Sequence, residues 1–402
     1  MHFNIPVIEE QIDQLGGRFM VYHIYLDGFL CCKMRYSDIY RLDEELRRVF
    51  GDCLPPFPPK YYLSMTETIA DKRRLLLEQY LQKVSANASI STYDVFCMFL
   101  IKMQQETFNI PVHNCLQEVL LPDGHKVKAD IQSSDPAERV LEIVFCKLEL
   151  PRQLMGYFSL FLVEGINGGQ YSVLKKLAPF ELPYVSLKSM NDEPCMVMIR
   201  KSFFDPEIDQ TVMASSCGLN LLYIQAVSDM EMGCWTPTNE QLEKLRLLQE
   251  TGQKKEFLEV AQQVKHYGYE QAEVCICDHP VPNSPAVVRV GYEEINCCTQ
   301  LLSNQAEETS FEISKVRCWS VRLLAFLLST FMNQVGAEHA AKNLDMHGEM
   351  QIEVPDVQIK KKQGFFKYMK ADKARPLLTR IKSAVQGSKE DDVFEGIEDK
   401  DL

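Results

Sequence analysis

Residues 29–60 read FLCCKMRYSDIYRLDEELRRVFGDCLPPFPPK, and this stretch decides how the rest of the chain is parsed. Just upstream, Arg18 to Leu26 is rich in aromatic and β-branched residues and Asp27-Gly28 is a hairpin signal, so Phe29 to Tyr36 is expected as the return strand. Ser37 is then expected to cap a helix in which Ile39, Leu42, Leu46 and Val49 fall at helical spacing, with Gly51 as the stop. The segment Pro55-Pro56-Phe57-Pro58-Pro59-Lys60 follows, and prolines this dense favour extended, polyproline-like backbone. Helices over 67–84 and 92–107 close a unit spanning 1–108.

Outward from that unit, 402 residues allow two to four domains at roughly 100–200 residues each. The net charge of −13 argues against nucleic-acid binding through bulk charge, since such affinity comes from Lys and Arg neutralising phosphates. Any contact with anionic lipid must come from a local pocket. The start, Met1 to Glu10, carries two acids and lacks the basic and apolar regions of a signal peptide, so a cytosolic protein is expected. The 14 cysteines show no paired CxxC spacing and the eight histidines are scattered, which predicts reduced thiols and no metal site. No P-loop, GxSxG or Cys–His arrangement is present, so the chain reads as non-catalytic and without a cofactor.

Residues 114–200 read as strand, Asp123-Gly124 hairpin, strand, a helix carrying Val140, Val144 and Leu148, the strand Gly156 to Val163, and a last strand Cys195 to Arg200. That is the ubiquitin-like order. Residues 205–270 are helical in pattern, over Val212 to Asp229, Asn239 to Gln249 and Lys254 to Lys265. Strand patterns return at Ala272–Cys277, Val287–Gly291, Ile295–Leu302 and Ser310–Arg322. The fold class is therefore α+β and multidomain.

Three separated motifs in the first unit carry a resemblance: Lys33-Met34-Arg35-Tyr36-Ser37, the PPFPPK loop, and Asp71-Lys72-Arg73-Arg74-Leu75. In this order they resemble a phox-homology (PX) domain, a small antiparallel sheet plus helices. The three units that follow resemble a FERM module: a ubiquitin-like lobe over 114–200, a helical lobe over 205–270 and a PTB-like β-sandwich over 272–346. The whole resembles the PX-FERM sorting nexins.

The resemblance implies that Arg35 contacts the 3-phosphate of phosphatidylinositol 3-phosphate, Tyr36 offers an aromatic face, Lys60 meets the 1-phosphate and Arg73 bonds ring hydroxyls. The residue chemistry agrees, because a guanidinium is a planar, always-charged fork for phosphate. Taken alone, Arg35 would read as a surface ion-pair partner, and Lys72, Arg73 and Arg74 as a solvated helix face. Tyr61-Tyr62-Leu63 reads equally as core or as a segment that dips into a bilayer.

The third lobe departs from the family. Ala272 to Arg322 holds four or five strands at about 5–6 residues each plus turns, where the resemblance implies seven. The expectation is a truncated lobe. In the family this lobe captures Asn-Pro-x-Tyr or Asn-x-x-Tyr motifs of receptor tails, such as those of integrins and lipoprotein receptors, as an added strand beside a helix. Trp319 matches an aromatic wall of that groove, with a buried core tryptophan as the alternative, and Phe331 and Val335 stand at i and i+4 on the following helix.

Pro355 to Ser388 holds nine basic and two acidic residues, and Lys389 to Leu402 two basic and seven acidic, so a disordered, charge-segregated tail is expected. Its last residues, with Phe394, Ile397, Asp401 and Leu402, resemble the family tail that docks onto the retriever recycling complex. The implied protein is an adaptor on the cytosolic face of early endosomes that promotes cargo recycling and spares cargo from lysosomal degradation. Two other readings stand beside it: a scaffold whose ubiquitin-like lobe binds a Ras-family GTPase, and a lipid-binding form impaired in cargo capture.

Overall fold

The computed structural model describes residues 1–60, 67–166, 170–190, 195–272, 274–277, 281–300, 306–315, 334–336 and 338–339. Trp319, Phe331, the tail residues Phe394, Ile397, Asp401 and Leu402, and Tyr61 to Leu63 lie outside them.

The first unit is built on β1 (Phe3–Ile12), β2 (Arg18–Leu26) and β3 (Phe29–Arg35), paired antiparallel in that order. The β2–β3 turn is the expected one: Asp27 and Gly28 both take positive φ, 49° and 86°, the backbone of a tight primed turn. β1 was not read as a strand, because Pro6 and the acidic Glu9-Glu10 interrupt its pattern. Pro6 sits where the register shifts between Asn4 and Val7, and β1 is an edge strand, the place in a sheet that tolerates proline.

α1 (Tyr36–Phe50) follows β3 without a linker. Its N-cap is Arg35 rather than Ser37. The cap comes from the other side of a capping box, where the Asp38 carboxylate accepts from Arg35 N at 2.8 Å. α2 (Glu67–Ala86), the short α3 (Ala88–Ser91) and α4 (Asp94–Phe108) complete the unit. α2 lies along β1 and satisfies its open edge with side chains. Gln82 accepts from Phe3 N at 2.9 Å, Glu78 from Ile5 N at 2.7 Å, and Arg74 donates to Ile5 O at 2.9 Å.

The second sheet has the order β5-β4-β8-β6-β7, from β4 (Asn114–Leu120), β5 (Lys126–Gln132), β6 (Phe158–Ile166), β7 (Gln170–Lys176) and β8 (Cys195–Lys201). Only β4 and β8 run parallel, which makes the mixed ubiquitin-like sheet, with α5 (Ala137–Lys147) packed on one face and the short α6 (Pro183–Lys188) before β8. β7 was missed in the sequence. The helical lobe comprises α7 (Pro206–Met213), α8 (Ser216–Glu231), α9 (Asn239–Glu250) and α10 (Lys254–Ala261). The single helix expected from Val212 breaks after Met213, because Ser215 caps a new helix, its hydroxyl accepting from Gly218 N.

The third sheet has the order β10-β11-β12-β13, with β9 (Glu270–Gln271) also pairing β11. Its strands are β10 (Cys275–Cys277), β11 (Ser284–Val290), β12 (Glu294–Gln300) and β13 (Ala306–Glu312). The last strand thus starts four residues before the expected Ser310 and ends in a turn at Ile313–Lys315, and the first begins at Cys275 rather than Ala272. Five strands in one sheet are what the described residues show, against the seven-stranded sandwich that the resemblance implied.

The units do not stand apart. Ala178 and Phe180, between β7 and α6, enter the core of the first unit, where Phe180 meets Phe96 edge-on at 6.0 Å. Gln104 of α4 donates to Phe180 O at 2.9 Å and accepts from Leu182 N at 3.1 Å. Lys175 and Glu181 form a buried pair at 2.6 Å, and Lys175 also donates to Leu26 O of β2 at 3.1 Å. Further on, Glu338 accepts from Phe204 N and Asp205 N at 2.9 and 2.8 Å, capping the approach to α7 from a distant part of the chain.

Candidate functional site

Arg35 stands at the junction of β3 and α1, exposed, at the helix end where backbone N–H groups leave a partial positive charge. Its guanidinium lies 3.4 Å from the centroid of the Phe19 ring on β2, a stacking that holds the fork in place while leaving its N–H edges to solvent. Phe19 was not singled out in the sequence, although its place on the strand neighbouring β3 was legible.

Tyr36, the first residue of α1, does two things. Its hydroxyl donates to Pro58 O at 2.8 Å, and its ring lies under the Arg73 guanidinium, with Cζ 4.5 Å from the centroid. The aromatic face assigned to a ligand ring in the sequence thus carries Arg73. Burial raises the Tyr36 hydroxyl's pKa, opposed by the Arg73 charge. Tyr22, buried on β2, is raised by the same balance.

Arg73 itself is buried, and α2 presents it inward because the neighbouring turns are clamped to β1. Arg74, one residue on and therefore about 100° around the helix, is spent on the β1 edge through Ile5 O and on Asp71 at 3.3 Å. The basic run at 72–74 is thus divided: Lys72 faces solvent, Arg73 is buried over Tyr36, and Arg74 reaches the sheet.

The loop carrying Lys60 is tied down by side chains of α1. Buried Asp43 accepts from Tyr80 Oη at 2.6 Å and from Arg47 Nε at 2.8 Å, and Arg47 Nη2 donates to Pro55 O at 2.6 Å. Burial, and after it the Asp43 carboxylate, push the Tyr80 hydroxyl far above its usual range. Phe57 fills the space beneath, edge-on to Tyr80 at 4.9 Å and to Tyr36 and Tyr40 at 5.5 Å each. Asp43 and Arg47 at i and i+4 were visible in the sequence as a helix pair, but their hold on Pro55 was not. Lys60 is exposed at the end of this clipped stretch.

The structure therefore gathers Arg35, Tyr36 and Arg73 at one end of the first unit and leads the Lys60 loop to the same place. Tyr36 links them: it follows Arg35 in the chain, carries Arg73 on its ring and ties its hydroxyl to Pro58, two residues before Lys60.

Of the groove residues, Val335 alone is described. It is fully buried among Leu120, Phe161, Val163, Met198, Phe204 and Val290, at the seam of the second and third sheets, so it packs a lobe junction and does not line an open groove. His339, four residues on, stacks on Tyr292 at 4.3 Å and bonds its carbonyl at 2.8 Å. The third sheet is braced to the helical lobe through Glu308, which takes Lys265 at 2.7 Å and Asn296 at 2.6 Å.

Residues 29–102 match the PX domain family. Residues 115–204 match the FERM F1 lobe of sorting nexins 17, 27 and 31, 205–265 the F2 lobe of sorting nexins 17 and 31, and 268–365 the sorting nexin 17 FERM C-terminal domain. Among curated relatives, mouse (Mus musculus) sorting nexin-31 is 48% identical over 330 residues, 82% of this chain and 75% of that protein. Sorting nexin-31 of Homo sapiens is 41% identical over 440 residues, the whole of both chains, and sorting nexin-17 of Rattus norvegicus is 43% identical over 323, 80% of this chain and 69% of that one. The alignment with the human protein is longer than the 402 residues here, so that relative carries positions this chain lacks. No helix among the described residues is long and apolar enough to cross a membrane. With a PX domain and three FERM lobes matched in order, the chain belongs to the PX-FERM sorting nexins of the sorting nexin 17/31 type.

Proposed function

We propose that this chain is an endosomal cargo adaptor that holds phosphatidylinositol 3-phosphate with Arg35, Lys60 and Arg73 and presents its FERM module to receptor tails. The observation that carries the lipid half is the arrangement around Tyr36: one ring seats Arg73 while its hydroxyl clips the Lys60 loop beside Arg35. A phosphomonoester contacted by Arg35 gains a charge-assisted, forked hydrogen bond that a ring hydroxyl cannot match, which favours a phosphorylated over an unphosphorylated inositol. The test is binding of the chain to vesicles carrying each phosphoinositide in turn. Arg35→Gln should abolish the phosphatidylinositol 3-phosphate response with the melting temperature unchanged. Equal binding by both proteins would sink the assignment.

Cargo capture rests on the third lobe, with Trp319 and Phe331 as the proposed groove residues and Val335 as the buried anchor of the helix beside it. Calorimetric titration with an Asn-Pro-x-Tyr peptide should show saturable binding that Trp319→Ala removes. Phe394, Ile397, Asp401 and Leu402 form the proposed docking end for a retriever-type complex, read out by capture on a peptide of residues 389–402 with and without Leu402. The scaffold reading draws on β5, which lies at the edge of the ubiquitin-like sheet with Lys126 and Lys128 on it. Pull-down with GTP-loaded Ras-family proteins decides it.

A further inference from the structure

Arg73 occupies a core position of α2. Ala70, Arg73, Leu77, Leu81 and Val84 recur every three or four residues and none is more than 6% exposed, so the guanidinium stands in a stripe that is otherwise apolar. A charge buried there is costly unless polar groups receive it. The Tyr36 ring gives it one face, at 4.5 Å. The other tyrosine that meets this charge is Tyr22 of β2.

Tyr22 shares its side of β2 with Ile24 and Leu26, and all three are 0% exposed. Its register partner is Met34, two residues before Tyr36. A phenylalanine would fill this place equally well. The hydroxyl is what needs a reason, because it is sealed from solvent and has no hydrogen-bond partner. Tyr80, also buried in this core, shows the usual arrangement, its hydroxyl donating to Asp43 at 2.6 Å. An unsatisfied buried hydroxyl destabilises a fold, so its presence points to a use. Burial raises the Tyr22 pKa and the Arg73 charge draws it back, and the Tyr36 hydroxyl, raised chiefly by burial, feels both Arg73 and Tyr22. The three side chains therefore meet at one point, with Arg73 between a ring face and a buried acceptor.

We propose that Tyr22 is the positioning residue of Arg73: its hydroxyl takes a hydrogen bond from the guanidinium when a phosphorylated inositol binds, and so fixes the angle at which the fork meets the ring hydroxyls. This role deepens the headgroup reading above and rests on it. The Tyr36 ring sets the plane of the guanidinium, but stacking alone leaves the fork free to turn within that plane. The donors of a guanidinium are rigidly fixed to one another, so one acceptor behind it sets the direction of the rest. A fork held in this way tells ring hydroxyls apart by position, which a swivelling one does not.

The experiment titrates the full chain with the soluble dibutanoyl form of phosphatidylinositol 3-phosphate and with analogues that each lack one ring hydroxyl. Tyr22→Phe should lower affinity for the complete headgroup about tenfold, in the range of one hydrogen bond to a charged group. Its denaturation midpoint should be unchanged or higher, since the change deletes an unsatisfied buried hydroxyl. Weaker binding by a chain that is no less stable is the signature that a packing role would not give. The tenfold loss should shrink to under about twofold for the analogue that lacks the hydroxyl Arg73 contacts, and equally on an Arg73→Lys background. The analogue series tests this link without altering Arg73. A loss that is the same for every analogue, or that comes with a lowered midpoint, overturns the role and leaves Tyr22 a packing residue. Equal affinity of Tyr22→Phe and the parent chain for the complete headgroup overturns it while the headgroup reading stands. A parent chain that ignores the soluble lipid overturns both.

Discussion

Breaking the Lys175–Glu181 pair should unfasten the PX domain from the first FERM lobe. Both side chains are almost completely buried, 2% and 5% exposed, and bonded at 2.6 Å. Lys175 also reaches Leu26 O on the PX sheet, and Glu181 Oε2 accepts from Ala178 N at 2.8 Å. Burial pushes the Glu181 carboxyl up, against the pull of the Lys175 charge. Glu181→Gln leaves a buried ammonium without its counter-charge, and Lys175→Met leaves the carboxylate with one amide donor and strips Leu26 O of its partner. Each single change should cost about 3–5 kcal/mol, the cost of orphaning one member of a buried pair.

The double variant Lys175→Met/Glu181→Gln removes both charges, so its cost should fall well below the sum of the singles. The assay is a double-mutant cycle on the first unfolding transition, since a chain of several domains need not melt in one step. At about 2–4 °C per kcal/mol for a unit of this size, each single variant should lower that midpoint by roughly 6–20 °C. Protease nicking in the connection over 109–113 should rise in the singles alone. Singles that cost under about 1 kcal/mol, or a double equal to their sum, would refute the claim that this pair holds the seam.

Asp43→Ala should cost about 2–3 kcal/mol by orphaning Arg47 and the Tyr80 hydroxyl, and should weaken headgroup binding because Arg47 no longer steadies Pro55; denaturation and calorimetry with soluble lipid check the two effects. Glu9, hydrogen-bonded by His23 and then Gln11, has its carboxyl lowered to about 2. A depressed carboxylate adds stability above the unfolded value of 4.5 that is lost as pH falls towards 2; at 43% exposure this amounts to under about 1 kcal/mol, and Glu9→Gln should flatten that part of a stability–pH profile. Burial lowers Lys176 to about 8, so the folded chain sheds this proton before the unfolded one does. Stability should therefore gain a rising contribution as pH climbs from about 8 towards 10.5, and Lys176→Met should abolish that rise in denaturation midpoints.

Most helices and hairpins were legible because apolar spacing and turn chemistry agree locally. Asp27-Gly28 and Gly51 took the positive φ their places demanded. β1 escaped notice because its regularity lies in what α2 does to its edge, a contact between residues more than seventy apart. β7 escaped because Gln170 to Lys176 mixes polar and apolar positions, and its Lys175 is buried by a partner that follows it in the chain. The site was legible only as a pattern of three motifs. Nothing local tells Arg73 from Arg74, and the distinction comes from the turn of the helix once β1 has fixed its roll. Val335 shows the opposite case: a correct helical position, read towards a groove, that the seam of two sheets claims instead.

Phe180 and Gln104 pin the PX domain to the first FERM lobe, and the Val335 cluster joins that lobe to the third sheet, so the height of the third sheet above Arg35 is a property of the fold. A slack tether would average that height away and let a peptide motif be reached at any depth. A pinned seam acts as a ruler. Under the proposed function, with the PX domain on a membrane and the third lobe taking cargo, a receptor motif would have to emerge far enough from the bilayer to arrive at the sheet, at about 3.3–3.6 Å for each extended residue. Tails with too short a juxtamembrane stretch would fail on distance alone, however well their motif fits. Adding residues between membrane and motif would restore capture over a narrow range of lengths.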